Sequence, residues 1–196
     1  AVSLRVSGGR RLQSPPGDRA RPTAARVRLA VMNMLAMRLP GCRWLDLCSG
    51  SGVMACEALQ HGAAAVVAVE QDRRIAQVAK ANLALVASGL TQGSGEWTLH
   101  CQEALQWLRQ TPPQSFDLIY CDPPYRAGLY GSVAAALNAG GWLQPDGLLL
   151  LECASSELPA VPDGWQLERQ RSYGSTTVLV LSRPAGCRGD TDSTRP

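Results

Sequence analysis

The sequence is poor in the residues that build metal centres, and it lacks long apolar runs. Its 196 residues include two histidines and seven cysteines, and none of the cysteines forms a C-x-x-C pair. Structural zinc sites need four such ligands at short spacings, so we predict no bound metal. No apolar run approaches the ~18 residues of a membrane-spanning helix, and no secretory signal opens the chain. We interpret the cysteines as reduced, mostly buried thiols and expect a cytoplasmic protein without a membrane segment.

Lysine is also nearly absent, so arginine carries the positive charge, and its distribution is uneven. Lys80 is the single lysine. Residues 1–43 hold nine arginines and one acid, a net charge of +8, whereas residues 44–196 hold ten basic and fifteen acidic residues, a net charge of −5. A basic segment on an acidic body favours a polyanionic partner, and guanidinium groups suit phosphate because they bind it bidentately. A solvated basic tail is the alternative.

Strand-like and helix-like segments alternate along the chain, and this alternation predicts the fold. Thr23 is placed to cap a helix that runs through residues 24–39 and ends at Pro40 and Gly41. Five β/α units follow, and two strands joined at Gly174 close the pattern. We predict an α/β, Rossmann-like fold with a seven-stranded, mostly parallel sheet, helices on both faces and a C-terminal antiparallel hairpin. Class I methyltransferases have this arrangement, and a plain dinucleotide-binding domain is the nearest alternative.

A glycine-rich turn joins the first predicted strand to its helix. In the segment LDLCSGSGVMA, Gly50 and Gly52 allow the backbone to approach a ligand and direct helix N–H groups toward it. The segment also satisfies the dinucleotide fingerprint. Glu70 follows twenty residues after Gly50, where it can accept hydrogen bonds from a ribose. Spacing alone therefore leaves NAD open as a cofactor.

Acidic residues at successive strand ends argue against a dinucleotide. Asp46 lies four residues before Gly50, where its charge would repel phosphates and attract an ammonium group. S-adenosylmethionine has an ammonium group, a ribose and an adenine amine but no phosphate, and Asp46, Glu70 and Glu103 match these groups in that order. We predict that it is bound by Asp46, Ser49, Gly50, Ser51, Gly52, Glu70, Gln71, Glu103, Ala104 and Asp122. The alternative is that the acids cap the helices that follow them.

The fourth predicted strand ends in the segment CDPPY. Prolines terminate a strand and make its exit rigid, because they fix φ and donate no N–H to a neighbour. Asp122 and Tyr125 are therefore held at the carboxyl end of a strand, where open α/β sheets bind their ligands. The alternative is a proline-capped turn with a solvated aspartate.

These motifs resemble those of one enzyme family. The segment RPTAARVRLAVMNML is similar to the Arg-Pro-Thr helix of the RsmD-like 16S ribosomal RNA guanine-N2 methyltransferases. Their later motifs are resembled by LDLCSGSG, VVAVEQD, DPPYRAGLY and RSYGSTTVLVL. The resemblance covers residues 4–183. It implies methyl transfer from S-adenosylmethionine to the exocyclic N2 amine of a guanine in small-subunit ribosomal RNA.

Residue roles follow from this resemblance. We assign catalysis to Asp122, Pro123, Pro124 and Tyr125: the Asp122 carboxylate and the Pro123 carbonyl accept the N–H groups of the base amine, and Tyr125 stacks on the base. We assign phosphate binding to Arg5, Arg10, Arg11, Arg21, Arg26 and Arg28. We expect an RNA-binding extension (1–43), a methyltransferase core (44–183) and a disordered tail (184–196), in a monomer that acts on ribosomal RNA, free or in an assembling small subunit.

Two further functions stay open at this point. One is an adenine-N6 methyltransferase of DNA or RNA, which would use the same DPPY chemistry. It is disfavoured because the core leaves no room for a large sequence-reading domain. The other is a non-catalytic RNA-binding assembly factor with the same fold, which the intact acids Asp46, Glu70 and Asp122 disfavour.

Overall fold

The computed structural model describes residues 3–15, 23–90, 95–110, 112, 114–124 and 129–184. The strands in these ranges are β1 (Arg43–Leu47), β2 (Ala65–Val69), β3 (Glu96–His100), β4 (Phe116–Cys121), β5 (Leu143–Ala154), β6 (Gln166–Tyr173) and β7 (Thr176–Ser182). The helices are α1 (Ala25–Met34), α2 (Val53–Gln60), α3 (Arg73–Ala87), α4 (Ala104–Trp107) and α5 (Leu129–Gly140).

The seven strands form one sheet in the order β3-β2-β1-β4-β5-β7-β6. Strands β1 to β5 are parallel, and β7 runs antiparallel between β5 and β6. The predicted fold is therefore confirmed. Parallel pairing brings the carboxyl ends of β1, β2 and β4 level, since Leu47 pairs with both Val69 and Cys121. Leu151 of β5 is level with Cys121. We call this edge of the sheet the carboxyl edge.

Alternating side chains fill the two faces of the sheet, because successive residues of a strand point to opposite sides. Trp44, Leu118 and Leu150 are buried on one face together with side chains of α1, α2 and α3. Leu45 and Ile119 are buried on the other face, against α4 and α5. The central strands β1 and β4 are buried on both faces, and most of their residues are apolar, as buried parallel strands require.

Residues 4–12 form a small turn that we call the N-terminal hairpin. The Val6 N–H donates to the Arg10 carbonyl, and the Leu12 N–H donates to the Leu4 carbonyl. Leu4, Val6 and Leu12 are buried in the same cluster as Trp44. The N-terminal hairpin is thus anchored in the core by its apolar side chains.

Two predictions for the first helix are wrong. Ala24, rather than Thr23, precedes α1, and it makes no side-chain cap. The Thr23 hydroxyl donates instead to the carboxylate of Glu152, which lies on β5 (3.2 Å). Helix α1 ends at Met34 and does not reach Pro40, because the backbone turns at Leu35 (φ −100°, ψ 7°).

No helix among the described residues is long and apolar enough to cross a membrane. The predicted disordered tail, from residue 185 onward, lies outside the described residues.

Candidate active site

The glycine turn after β1 is built from left-handed backbone. Cys48, Gly50 and Gly52 have φ values of 59°, 54° and 73°. A Cβ on Gly50 would meet nothing within 4 Å, so this glycine borders open space. A Cβ on Gly52 would lie 3.1 Å from the Cβ of Ala79, so a side chain there would crowd α3. Gly50 therefore gives a ligand access to the backbone, and Gly52 lets two helices pack closely.

Glu70 holds the turn from the neighbouring strand end. Its side chain is nearly buried. Oε2 accepts the N–H of Gly50 at 2.9 Å, and Oε1 accepts the N–H of Asp72 at 2.8 Å. Each carboxylate oxygen has a second lone pair, so Glu70 can still accept a ribose hydroxyl, and that role stays a prediction. The contact with Gly50 was not predicted from the sequence.

Asp46 lies inside the carboxyl edge, 2% exposed. Its Oδ2 accepts the N–H of Ala55, in the first turn of α2, at 3.1 Å. Burial raises the pKa of Asp46 to about 8; the Ala55 N–H opposes the shift, and the charges of Glu70 and Glu152 add to it. No basic side chain pairs with Asp46, since the ion pairs found within the described ranges all involve Glu57. A cationic ligand would supply the missing charge.

Two serines beside the turn carry buried hydroxyls. The Ser49 N–H donates to the Val69 carbonyl at 2.9 Å. The hydroxyls of Ser49 and Ser51 are buried and have no hydrogen-bond partner in the described part of the chain. Buried hydroxyls usually have a hydrogen-bond partner, so the hydroxyls of Ser49 and Ser51 suit a site that binds a polar ligand. Gln71 is exposed beside Glu70.

Glu103 caps a helix. Its carboxylate oxygens accept the N–H groups of Leu105 (3.0 Å) and Gln106 (2.7 Å) at the start of α4, whose first residue, Ala104, is buried. The helix-capping alternative is therefore correct for Glu103. Its contact with an adenine amine has no separate support in the geometry.

Asp122 follows β4 directly and is partly buried. Its carboxylate accepts no hydrogen bond from any residue that the structure describes. Burial, followed by the nearby charges of Glu152 and Asp46, raises the pKa of Asp122 well above its usual range. Pro123 is buried and Pro124 is exposed. Tyr125, the predicted stacking residue, lies outside the described residues.

Glu152 is a site residue that the sequence reasoning missed. It lies near the end of β5, 5% exposed, and its Oε2 accepts the hydroxyls of Thr23 and Tyr120. The Tyr130 hydroxyl donates to its backbone carbonyl at 3.0 Å. The sequence held a signal for this residue, because an acid interrupts the apolar run LLLLEC at the carboxyl end of a buried strand.

One predicted phosphate ligand is wrong. Arg28 is 6% exposed, and its guanidinium donates to the carbonyls of Thr23 and Arg5 and lies 3.5 Å from Glu57. It therefore holds elements of the fold together and cannot reach RNA. The other predicted ligands differ in position: Arg10 is partly exposed, Arg21 lies outside the described residues, and the exposed ones are Arg5, Arg11 and Arg26.

No group of three histidine, cysteine, aspartate or glutamate side chains in the described ranges is placed to hold a metal ion.

Comparison with known proteins identifies the family. The model of the family described as Conserved hypothetical protein 95 matches residues 5–182. The chain belongs to this family. The ribosomal RNA small subunit methyltransferase D of Escherichia coli K12 is 32% identical in an alignment 196 positions long, which covers 96% of this chain and 94% of that protein. The Haemophilus influenzae protein of the same name is 29% identical over 167 residues, 85% of this chain and 84% of that protein.

Solved structures agree with this relationship. The Escherichia coli protein YhhF superposes with a TM-score of 0.81 at 30% identity, over 94% of this chain and 99% of that chain. The rRNA methyltransferase AviRa of Streptomyces viridochromogenes, at 18% identity and a TM-score of 0.69, shares the fold over 89% of each chain. The predicted family and the class I methyltransferase fold are confirmed. The protein is a methyltransferase of the S-adenosylmethionine-dependent class, and the open turn at Gly50, the unpaired serines and the uncompensated acids fit this cofactor.

Proposed function

We propose that the protein methylates the N2 amine of a guanine in small-subunit ribosomal RNA. The observation that carries this proposal is the Asp122 carboxylate. Asp122 follows β4 at the carboxyl edge, two residues after Tyr120, which is paired in register with Asp46. Its carboxylate accepts no hydrogen bond from the described residues. The names of the Escherichia coli and Haemophilus influenzae relatives support ribosomal RNA of the small subunit as the substrate.

The residues of the site account for methylation of a weak nucleophile. S-adenosylmethionine supplies an electrophilic methyl group on a positively charged sulfur. The guanine amine is unreactive because its lone pair is delocalised into the ring. When Asp122 and the Pro123 carbonyl accept its two N–H groups, the nitrogen becomes pyramidal and its lone pair becomes available.

The product nitrogen must then lose a proton. S-adenosylmethionine, held by Asp46, Glu70 and the glycine turn, would supply the methyl group and retain the electron pair of its C–S bond, so the nitrogen would carry one proton too many after methyl transfer. Asp122 is placed to accept that proton in its ionised form, which a positively charged cofactor nearby would favour, and because burial raises its pKa the ionised group is a better base than an ordinary aspartate.

We also propose that the protein acts as a monomer in the cytoplasm, on RNA that is free or in an assembling subunit. Asp46, Glu70, Asp122 and Glu152 all come from one chain, so the acids of the site need no second copy. Light scattering during gel filtration, with and without substrate RNA, measures the mass directly.

Asp122 is among the residues predicted to line the cofactor site, but its proposed hydrogen bond is to the base, so Asp122→Ala should abolish turnover and leave cofactor affinity nearly intact. Removal of one preorganised transition-state contact costs at least ~100-fold in rate. The assay is methyl incorporation into small-subunit RNA from cells that lack the gene, with calorimetric titration of S-adenosylhomocysteine. Asp122→Asn, which keeps one acceptor oxygen, is the matched control and should retain part of the rate.

Two results would contradict the proposal. If Asp122→Ala also lost S-adenosylhomocysteine binding, Asp122 would serve the cofactor site or the fold. Mass spectrometry of the nucleosides should find N2-methylguanosine in the product RNA, and N6-methyladenosine in its place would move the enzyme to the adenine-specific class.

A further inference from the structure

The carboxyl edge holds one buried acid that the proposed reaction does not use. Glu152 is 5% exposed and has no ion-pair partner within the described ranges. Burying a charge is costly unless it is paired or hydrogen-bonded, so an acid retained in this position calls for an explanation.

The hydrogen bonds of Glu152 orient its carboxylate. Both side-chain donors, the hydroxyls of Thr23 and Tyr120, bond to Oε2. Tyr120 is fully buried and stacks on Trp44, with ring centroids 6.0 Å apart, so its hydroxyl is held firmly. The second oxygen, Oε1, accepts no hydrogen bond from any described residue. One oxygen is thus fixed, and the other stays available to a ligand.

Glu152 lies beside Asp122. Cys121 and Leu151 are paired in register on neighbouring parallel strands, so the next residue on each strand, Asp122 and Glu152, lies at the same level. Neighbouring strands are ~4.8 Å apart. The charge of Glu152 contributes to the raised pKa of Asp122, which agrees with this proximity. Asp46 on β1 and Glu70, directly after β2, are two further acids of this edge, and no basic residue of the described chain pairs with any of the four acids.

Two adjacent carboxylates suit a ligand edge that carries several N–H donors. Guanine has such an edge, because its N1–H lies next to its N2 amine. Adenine differs there: the ring nitrogen beside its N6 amine is an acceptor, which a carboxylate would repel.

We propose that Glu152 selects guanine, with Oε1 accepting the N1–H of the base while Asp122 accepts an N2–H. This inference rests on the proposed function and adds the residue that determines its base specificity. It also explains how a site with the DPPY motif would exclude adenine.

The test compares two substrates for each enzyme. One is small-subunit RNA with guanine at the target position, located by mass mapping. The other is the same RNA ligated with 2-aminopurine at that position. This base keeps the amine at C2, but its N1 is an acceptor. The measured quantity is kcat/KM for each RNA, and the ratio of the two values is compared between variants, so that the different intrinsic reactivities of the two amines cancel.

The wild-type enzyme should prefer guanine by at least ~10-fold, the usual size of discrimination by a base-edge contact. In Glu152→Gln the amide N–H can donate to the N1 of 2-aminopurine, so the guanine preference should fall by ~10-fold or more. Tyr120→Phe, which loses the hydroxyl that orients Glu152, should show an intermediate fall.

Glu57→Gln is the matched control. Glu57 is also a buried acid, but its bonds are to Ser7 in the N-terminal hairpin and to Arg28, so its guanine preference should equal that of the wild type. An unchanged guanine preference in a Glu152→Gln enzyme that binds S-adenosylhomocysteine normally would overturn the inference. If Glu152→Gln fails to bind S-adenosylhomocysteine, the guanine preference of Tyr120→Phe decides instead: a fall supports the inference, and an unchanged preference overturns it. A wild-type enzyme that leaves the guanine RNA unmethylated would refute the proposed function itself.

Discussion

Asp46 links burial to cofactor binding at the scale of a single residue. With its pKa raised to about 8, this carboxyl is mostly protonated at pH 7 in the ligand-free protein. An ammonium group nearby favours the ionised form and lowers the pKa. Binding of the cofactor should therefore drive a proton from Asp46 into solution.

We predict that S-adenosylhomocysteine, which carries the same ammonium group, releases protons when it binds near pH 7. Calorimetric titrations in two buffers with different ionisation enthalpies give the number released. Asp46→Asn, which has no proton to lose, should reduce the release and weaken binding by ~1.5–3 kcal/mol, the value of a charge-assisted hydrogen bond. Equal release by both proteins would place the ammonium group away from Asp46.

The same carboxyl should make the ligand-free protein less stable as the pH rises. The folded pKa of about 8 lies above the ordinary value of 3.8, so the unfolded chain gives up this proton first. Between these two values the unfolded state binds fewer protons, and the free energy of unfolding decreases with pH. The raised pKa values of Asp122 and Glu152 act in the same direction. Urea denaturation from pH 5 to pH 8 should show this decrease, and Asp46→Asn should make it shallower; an unchanged slope would mean that Asp46 ionises normally.

At the scale of elements, Glu57 connects the N-terminal hairpin, α1 and α2. It lies on α2, 2% exposed, and accepts both the N–H and the hydroxyl of Ser7. Arg28 of α1 pairs with its Oε1 at 3.5 Å. A single buried carboxylate thus joins two segments of the basic extension to the core.

Glu57→Ala should lower the free energy of unfolding by ~3–5 kcal/mol, because it leaves the buried Arg28 without its partner. It should also release the N-terminal hairpin, so that the amides of Val6 and Leu12 exchange faster with deuterium. Glu96→Ala, at an exposed position, is the control for both measurements. A loss below ~1 kcal/mol would show that the hairpin is held by its apolar side chains alone.

The order of the elements could be predicted because it depends on local pattern. Apolar strands alternate with helices along the sequence, with glycine turns between some of them. This pattern predicted all seven strands. The bond between Thr23 and Glu152 could not be predicted in this way, since residues 23 and 152 come together only in the folded chain. The early end of α1 was also missed, because its apolar spacing continues past Met34. The acids at β1, β2 and β4 were found because a strand end is a local feature.

Arg28 shows where a count of charges fails. Together with Val27, Val31 and Met32 it lies on the buried side of α1, and the helical spacing of these residues was available from the sequence. What the sequence did not reveal was the partner that makes this burial tolerable, an acid on another helix. A basic residue amid the apolar residues of an amphipathic helix is therefore a poor candidate for a phosphate ligand.

At the scale of the whole molecule, the described parts of the basic extension, residues 3–15 and 23–43, pack on the core through their apolar side chains. Residues 1–43 carry a net charge of +8, whereas residues 44–196 carry a net charge of −5. Thr23, just before α1, reaches Glu152 at the carboxyl edge, so the extension approaches the site where the base would be methylated. This arrangement would let arginines bind the RNA backbone while the target guanine reaches the acids of the carboxyl edge.

If the basic extension binds RNA, its exposed arginines supply the electrostatic part of the affinity. Each phosphate contact contributes roughly −0.7 to −0.9 to the slope of log affinity against log salt, so replacing Arg5, Arg11 and Arg26 with glutamine should flatten the slope by about two to three units. Filter binding of small-subunit RNA across a salt series measures this slope.

Two single variants serve as controls. Arg28→Gln, which changes a buried arginine of the same extension, should lower the free energy of unfolding but leave the slope unchanged. Arg109→Gln, which changes an exposed arginine outside the extension, should change neither quantity. The triple variant should bind S-adenosylhomocysteine as the wild type does, because its three side chains are exposed and the recorded bonds of Arg5 and Arg26 are to the carbonyls of Gly9 and Tyr173, outside the glycine turn. If the slope of the triple variant matched that of the wild type, the basic extension would serve only the fold, and RNA would bind a different face.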